Sequence, residues 1–156
     1  MLGDDLYVEV HEHWMQQALE LARLVETNGE VPVGAIVVCE EEVIGRGFNQ
    51  PISQHDPTAH AEIQAIREAC QSQQNYRLRN ASLYVTLEPC PMCAGAIVHS
   101  RIQKVIFAAH DPRTGSASST FQLLDNPKLN HRCEIVSGVC AEESSSMLKA
   151  FFKKRR

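Results

Sequence analysis

The chain has 156 residues, of which 44% are hydrophobic and 22% charged, ordinary proportions that exclude a disordered, fibrous or disulfide-stapled miniature fold. Its formal charge of -4 leaves no basic excess for unspecific nucleic-acid binding through counterion release, so any such contact has to be locally focused. No stretch approaches the ~20 apolar residues of a membrane span, and the acidic opening MLGDDLYVEVHEHW has neither the basic nor the apolar region of a signal peptide. The expectation is one domain over residues 1–156, cytoplasmic and without a membrane partner.

Apolar residues Trp14, Ala18, Leu21, Ala22 and Val25 recur at helical intervals, predicting a first amphipathic helix from Glu9 to Asn28, stopped by Asn28-Gly29. Two β-rich runs follow, Val31–Cys39 and Glu42–Asn49, parted only by Glu40-Glu41, and read as a hairpin. The polar loop QPISQHDP leads to a second helix, with Thr58 as its expected N-cap and Ala61, Ala65, Ile66 and Ala69 on one face. SLYVTL is a strand, and PCPMCAGAIVHS opens a third helix with prolines where a first turn tolerates them. KVIFAA is a fourth strand and CEIVSG a fifth, joined by a long segment expected to hold a short helix near Gln122; SSSMLKAFFKKRR closes the chain as a helix. This order predicts an α/β fold, a three-layer α/β/α sandwich around a five-stranded mixed sheet with a hairpin at its edge and parallel strands added by crossovers.

Six cysteines stand at 39, 70, 90, 93, 133 and 140, and without a secretory context they read as thiols or ligands. Cys39 and Cys70 fall in apolar patterns and are expected as core fillers. Cys90 and Cys93 have the C-x-x-C spacing that lets two thiolates of one turn reach a single zinc. Alone, that spacing also suits a redox pair or half of a structural four-ligand site. The partner is His60-Ala61-Glu62, which likewise opens a helix after an extended segment. Two facing helix N-termini across adjacent parallel strands would bring one imidazole and two thiolates together, with the helix dipoles favouring the thiolates. The fourth position is then open for water, as in a catalytic rather than a structural site; a structural reading needs Cys133, Cys140 or His131 as a fourth ligand. Glu62, two residues beyond His60, can stand beside such a water without binding the metal and move its proton. His55 and His99 have no ligand spacing and carry no expectation.

HAE followed by PCPMC is the signature of zinc nucleobase deaminases. Together with EVPVGAIVV, GRGFNQP, HDPTAHAE, NYRL, LYVTLEPCPMCAGAI, HSRI and FFKKRR, it makes nearly the whole chain resemble the bacterial tRNA-specific adenosine deaminases. That resemblance implies a cytidine deaminase-like fold and one zinc ion per subunit. The reaction it implies is attack of metal-activated water on C6 of a flipped-out adenine, which leaves inosine at the wobble position and releases ammonia. It further implies a homodimer acting on the anticodon stem-loop of an arginine tRNA. Asn49 is placed at the purine edge, although an Asn before Gln50-Pro51 is also a turn residue. Ala61 is placed at the substrate, Asp111 near the ribose 2′-hydroxyl and Arg113 near phosphate. The terminal FFKKRR can stack on bases and meet phosphates, or serve the helix dipole and the core. The nearest rival is a deaminase of a free base or nucleotide of the guanine or cytosine type, which shares HAE and PCxxC. The more distant rival is a zinc-stabilised RNA-binding module without turnover.

Overall fold

The structure, a computed structural model, describes residues 2–155, and the side chains of 7–155. Helix α1 (Leu2–Glu26) leads into strands β1 (Gly34–Cys39) and β2 (Glu42–Phe48). After them come α2 (Ala61–Gln73), β3 (Ala81–Leu87), α3 (Pro91–Ser100), β4 (Lys104–Ala109), β5 (Glu134–Val136) and α4 (Ala141–Lys153). The five strands form one mixed sheet in the order β2-β1-β3-β4-β5, as the alternation of β-rich and helical segments predicts. Glu40 and Glu41 both take positive φ, which a two-residue turn compatible with strand twist demands. The hairpin is therefore as tight as its two-residue spacing implies.

Period-two alternation divides the core between the two faces of the sheet. Val37, Leu83, Val85, Val105 and Phe107 point to one side, under Ala61, Ala65 and Ala69 of α2 and Ala94 and Ile97 of α3. Ile36, Val38, Tyr84, Ile106 and Ala108 point to the other, under Met15, Ala18 and Leu19 of α1 and Met147 of α4. Burying such side chains is worth roughly 1.5–3 kcal/mol each, and both faces are buried because helices cover both. Cys39 and Cys70 are half-buried against the first of these clusters.

Two features place the site. The chain enters α2 and α3 from β2 and β3, and each of those strands is antiparallel to β1, which lies between them. β2 and β3 thus run in the same direction but are not neighbours, which corrects the expectation of adjacent parallel strands. Their helices still start at the same end of the sheet. Gly47 then lets α2 lie directly on β2, because a Cβ there would run into the Ala61 carbonyl.

Three other expectations change. Thr58 does not cap α2; its N–H and hydroxyl both donate to Asp56 Oδ1, at 2.9 and 2.7 Å, and His60 occupies the N-cap position. No helix forms near Gln122. That segment is turns, anchored by the fully buried Leu124 and closed by the Leu129 N–H to the Asn126 carbonyl at 3.1 Å, and Asp125, Asn126 and Pro127 favour turns over helix. α1 starts at Leu2 rather than Glu9.

Candidate metal centre and active site

His60 and Cys90 are the N-cap residues of α2 and α3, both with extended backbone (φ -74, ψ 157 and φ -76, ψ 172). Each carbonyl accepts the first helical hydrogen bond, from Gln64 N–H at 3.1 Å and Ala94 N–H at 2.8 Å. Neither side chain caps its own helix, so both are free to turn toward one another. Pro91 follows Cys90 in the first turn, where its missing N–H costs nothing, and Cys93 comes one turn on. His60 Nδ1 lies 3.6 Å from Cys90 Sγ and 3.5 Å from Cys93 Sγ, and the three ligand atoms all fall within 4.8 Å of one another. A tetrahedral zinc ~2.3 Å from sulfur and ~2.0 Å from nitrogen requires N···S edges of ~3.5 Å. The donor set and its spacing therefore fit that ion.

Among the described residues no fourth His, Cys, Asp or Glu joins the group. Cys133 is buried with its Sγ 3.3 Å from the Ile102 carbonyl, His131 Nε2 meets the same carbonyl at 2.7 Å, and Cys140 is the N-cap of α4. The structural four-ligand arrangement is thus not formed by these residues. The thiols differ: Cys90 is held down to about 4, chiefly by a hydrogen bond from the Cys93 thiol and then by His60, while the same bond and burial push Cys93 up. The hydrogen bond with Cys90 raises His60 against the opposing effect of burial.

Glu62 sits in the first turn of α2 and is 4% exposed. Burial pushes its carboxyl up to about 7, a rise reinforced by the charge of Cys90 and offset in part by its own backbone N–H and by His60. A carboxyl poised near neutrality can both accept and return a proton at working pH.

Asn49 follows β2, and its Oδ1 accepts the Ala61 N–H at 2.8 Å. This bond satisfies a donor at the start of α2 and fixes the amide plane beside the cluster. Ala61 itself is fully buried with that N–H engaged, so it supports Asn49. The loop after Asn49 is held from below by Glu30, 2% exposed, whose carboxylate accepts the N–H groups of Ile52 and Ser53 at 3.2 and 2.9 Å.

Asp111 lies just beyond β4, yet its carboxylate folds its own loop: Oδ1 accepts the N–H of Arg113 at 3.0 Å and Oδ2 the Thr114 hydroxyl at 3.1 Å. Arg113 is exposed on the same loop. At the C-terminus, Phe151 is buried and Phe152 is 48% exposed, and the Arg155 guanidinium stacks 3.6 Å from the Phe151 ring centroid. Only Phe152 of the aromatic pair is thus presented outward; Arg156 lies outside the described residues.

The residue that sequence reasoning missed is Glu88. It is 2% exposed, two positions before Cys90, and it gathers the loop of residues 110–120. Oε1 accepts the Asp111 N–H at 3.0 Å and the Ser119 hydroxyl, and Oε2 accepts the N–H groups of Ala117, Ser118 and Ser119 at 3.0 Å each. His110 Nδ1 is 3.4 Å away. The carboxyl falls to about 2: burial alone would raise it, but the Ser119 hydroxyl and these backbone donors outweigh burial. Gly115 is required in this loop, since a Cβ would collide with the Glu88 carboxylate. Two signals foreshadow the arrangement: an acidic residue just after an apolar strand and two positions before Cys90, and the small-residue run GSASS that packs its N–H donors closely.

Fold and cluster together define the deaminase class, and a family model for MafB19-like deaminases matches residues 9–156. A guanine deaminase from Nitrosomonas europaea, 23% identical, superposes with TM-score 0.74 over 90% of this chain and 83% of that one, a likeness of fold alone. The chain belongs to the tRNA-specific adenosine deaminases, enzymes acting on a C–N bond. It is 54% identical to that enzyme of Haemophilus influenzae over 95% of this chain and 86% of the relative. To the Bacillus subtilis enzyme it is 47% identical over 100% and 92%. A structure from studies of A-to-I editing by tRNA:A34 deaminases matches at TM-score 0.84 and 42% identity, over 87% of this chain and 99% of that one. Among the described residues no helix is long and apolar enough to cross a membrane.

Proposed function

We propose that this protein, as one domain over residues 1–156, hydrolyses adenosine to inosine at the wobble position of a tRNA anticodon, with one zinc ion per subunit held by His60, Cys90 and Cys93. The observation that carries the reading is the three-ligand group with N···S distances of 3.5 and 3.6 Å beside a buried glutamate; the family supports the substrate. A zinc ion held there by His60, Cys90 and Cys93 would lower the pKa of a water toward ~7 and so supply the nucleophile for C6. Glu62 takes the proton of that water and delivers it to N1 of the purine. When the tetrahedral C6 centre collapses to the carbonyl, Glu62 takes the proton of the C6 hydroxyl and passes it to the departing amine, which leaves as ammonia. Asn49, its Oδ1 anchored to α2, presents its amide N–H groups to the purine edge and fixes the ring over the cluster. Asp111 and Arg113 meet the ribose and a flanking phosphate from the loop that Glu88 holds. Following the family resemblance, the substrate is the anticodon stem-loop of an arginine tRNA and the working form a cytoplasmic homodimer.

The test incubates zinc-loaded protein with an anticodon stem-loop carrying wobble adenosine and, separately, with free adenosine, guanine and cytidine, reading inosine by mass spectrometry and ammonia release. Inosine in the RNA alone is expected. Turnover of a free base without RNA editing would replace this substrate by that of the guanine or cytosine type. Glu62→Gln is expected to keep zinc and fold and to lower kcat by at least about 10³-fold; unchanged ammonia release refutes the proton-transfer role.

A further inference from the structure

NYRL (75–78) and HSRI (99–102) are distant in sequence, yet the fold seats them against each other at the end of the sheet opposite the metal cluster. The Leu78 N–H donates to the Ser100 carbonyl at 2.6 Å, and the Gln103 N–H to the Ala81 carbonyl at 3.0 Å. Between the joined segments lies a recess of about 580 Å³ lined by Arg77, Arg79, Asn80, Arg101, Gln103 and His131. No carboxylate lines it, and among the described residues none of the three arginines forms an ion pair. Arg77 Nε is buried with no hydrogen-bond partner, and its guanidinium stands 5.2 Å from the ring centroid of Tyr76, which is 71% exposed. Arg101 Nη1 donates to the Val98 carbonyl at 3.3 Å, tying that side chain to the end of α3.

Three arginines lining one recess without a counter-ion, in a chain of net charge -4, leave a local positive field that an anion would neutralise. Their planar forks match the oxygens of a phosphate two at a time. The exposed Tyr76 face beside them suits base stacking, and the Asn80 and Gln103 amides suit ribose hydroxyls. This combination favours a nucleic-acid backbone over a lone small anion. We infer that the recess is a second RNA contact, holding backbone phosphates of the substrate away from the edited base. The inference rests on the reading that RNA is the substrate. β3 begins at the recess and ends at the cluster, and its seven residues span ~20 Å. An RNA must therefore extend well beyond the edited nucleotide to touch both, and the recess acts on large substrates only.

The test compares wild type with Arg79→Glu, an exposed position whose change leaves the core intact, and with the double variant Arg77→Gln/Arg79→Gln, each checked by thermal melting. Full-length tRNA and an oligonucleotide of the anticodon loop alone serve as substrates. For the tRNA, KM is expected to rise about tenfold with kcat unchanged, and the slope of log affinity against log salt, from fluorescence anisotropy, to become shallower by about 1 per arginine removed. For the loop oligonucleotide neither quantity moves. Unchanged KM and slope with tRNA overturn the inference. So does an altered sedimentation coefficient with RNA binding intact, which assigns the recess to a second copy of the chain. Saturation by inorganic phosphate, followed through arginine Nε–H resonances and not competed by tRNA, overturns it as well. If the wild type deaminates no RNA, the proposed function fails, while the anisotropy slope still decides the recess.

Discussion

The two sides of the candidate metal cluster are built by different means. On one side, His60, Cys90 and Asn49 are all set by helix starts: two are N-caps and the third bonds the first N–H of α2. Their positions follow from repeating backbone structure and short spacings. On the other side, the loop of residues 110–120 has no regular structure and is gathered by one buried carboxylate, Glu88, which accepts hydrogen bonds from residues 23 to 31 positions downstream. The first side tolerates the loss of any one bond because a helix remains behind it. The second depends on a single group. Substitutions should therefore separate a chemical side from a conformational one.

The largest effect belongs to the proposed metal ligands. Cys90→Ala removes one of three protein donors and is expected to drop zinc content from about one per chain to near zero by elemental analysis, with ammonia release lost to background. Thermal stability should fall with it, because metal bound only by the folded chain stabilises it by mass action. Full activity with zinc retained would break the assignment of Cys90 to the cluster.

How far each side could be read from the sequence follows the same division. The grouping of His60, Cys90 and Cys93, with Glu62 in the first turn of α2, was legible because a cysteine pair one turn apart and a carboxylate two residues from a histidine are local patterns that a helix start converts directly into geometry. The strands were legible from their alternation, and Lys104–Ala109 emerges with the expected bounds. The segment before β5 was not, since the apolar residues near Gln122 suggest a helix while Leu124 docks alone into the core and turns close around it. Glu88 escaped notice because most of its partners are backbone N–H groups 23 to 31 residues downstream, marked in the sequence only by the small-residue run GSASS. The N-cap of α2 was misplaced by two residues, at Thr58 rather than His60, because Asp56 takes the Thr58 hydroxyl.

Asn49→Asp probes the helix side more finely. It keeps the oxygen that accepts the Ala61 N–H but removes the amide donor that the proposed function directs to the purine. The expected result is a fall of about 100-fold in kcat/KM for stem-loop RNA with zinc content and melting temperature unchanged. Asn49→Ala should add a stability loss of about 1 kcal/mol from the missing cap. Wild-type kinetics in the Asp variant would reduce Asn49 to a capping residue.

Glu88→Gln tests the other side, where the effect on activity is smaller and that on stability larger. An amide nitrogen facing the backbone donors leaves at least one buried N–H unpaired, and lowering the carboxyl from near 4.5 to about 2 corresponds to about 3 kcal/mol of folding free energy. The folded pKa is the depressed one, so this contribution is complete above pH ~4.5 and vanishes as pH falls toward 2. Urea melts of wild type and variant should differ by about 3 kcal/mol at pH 7 and converge near pH 2. KM for RNA is expected to rise about tenfold with kcat and zinc retained. A fall in kcat with KM constant would mean that Glu88 acts on the cluster and that the two sides are not separable.

Arg113→Ala gives the smallest change and the sharpest reading of what the loop does once Glu88 has shaped it. Its side chain is exposed on a loop already closed by Asp111, so the substitution removes no core contact and stability should move by less than about 0.5 kcal/mol. A single screened phosphate contact is worth a few-fold in affinity at low salt, less as the Debye length shortens from ~10 Å at 0.1 M to ~3 Å at 1 M. KM for stem-loop RNA should therefore rise about threefold at low salt and return to the wild-type value at high salt, with kcat equal throughout. If the threefold difference persists at high salt, Arg113 contacts the base or ribose directly, and the loop reads the nucleotide itself as well as its phosphate.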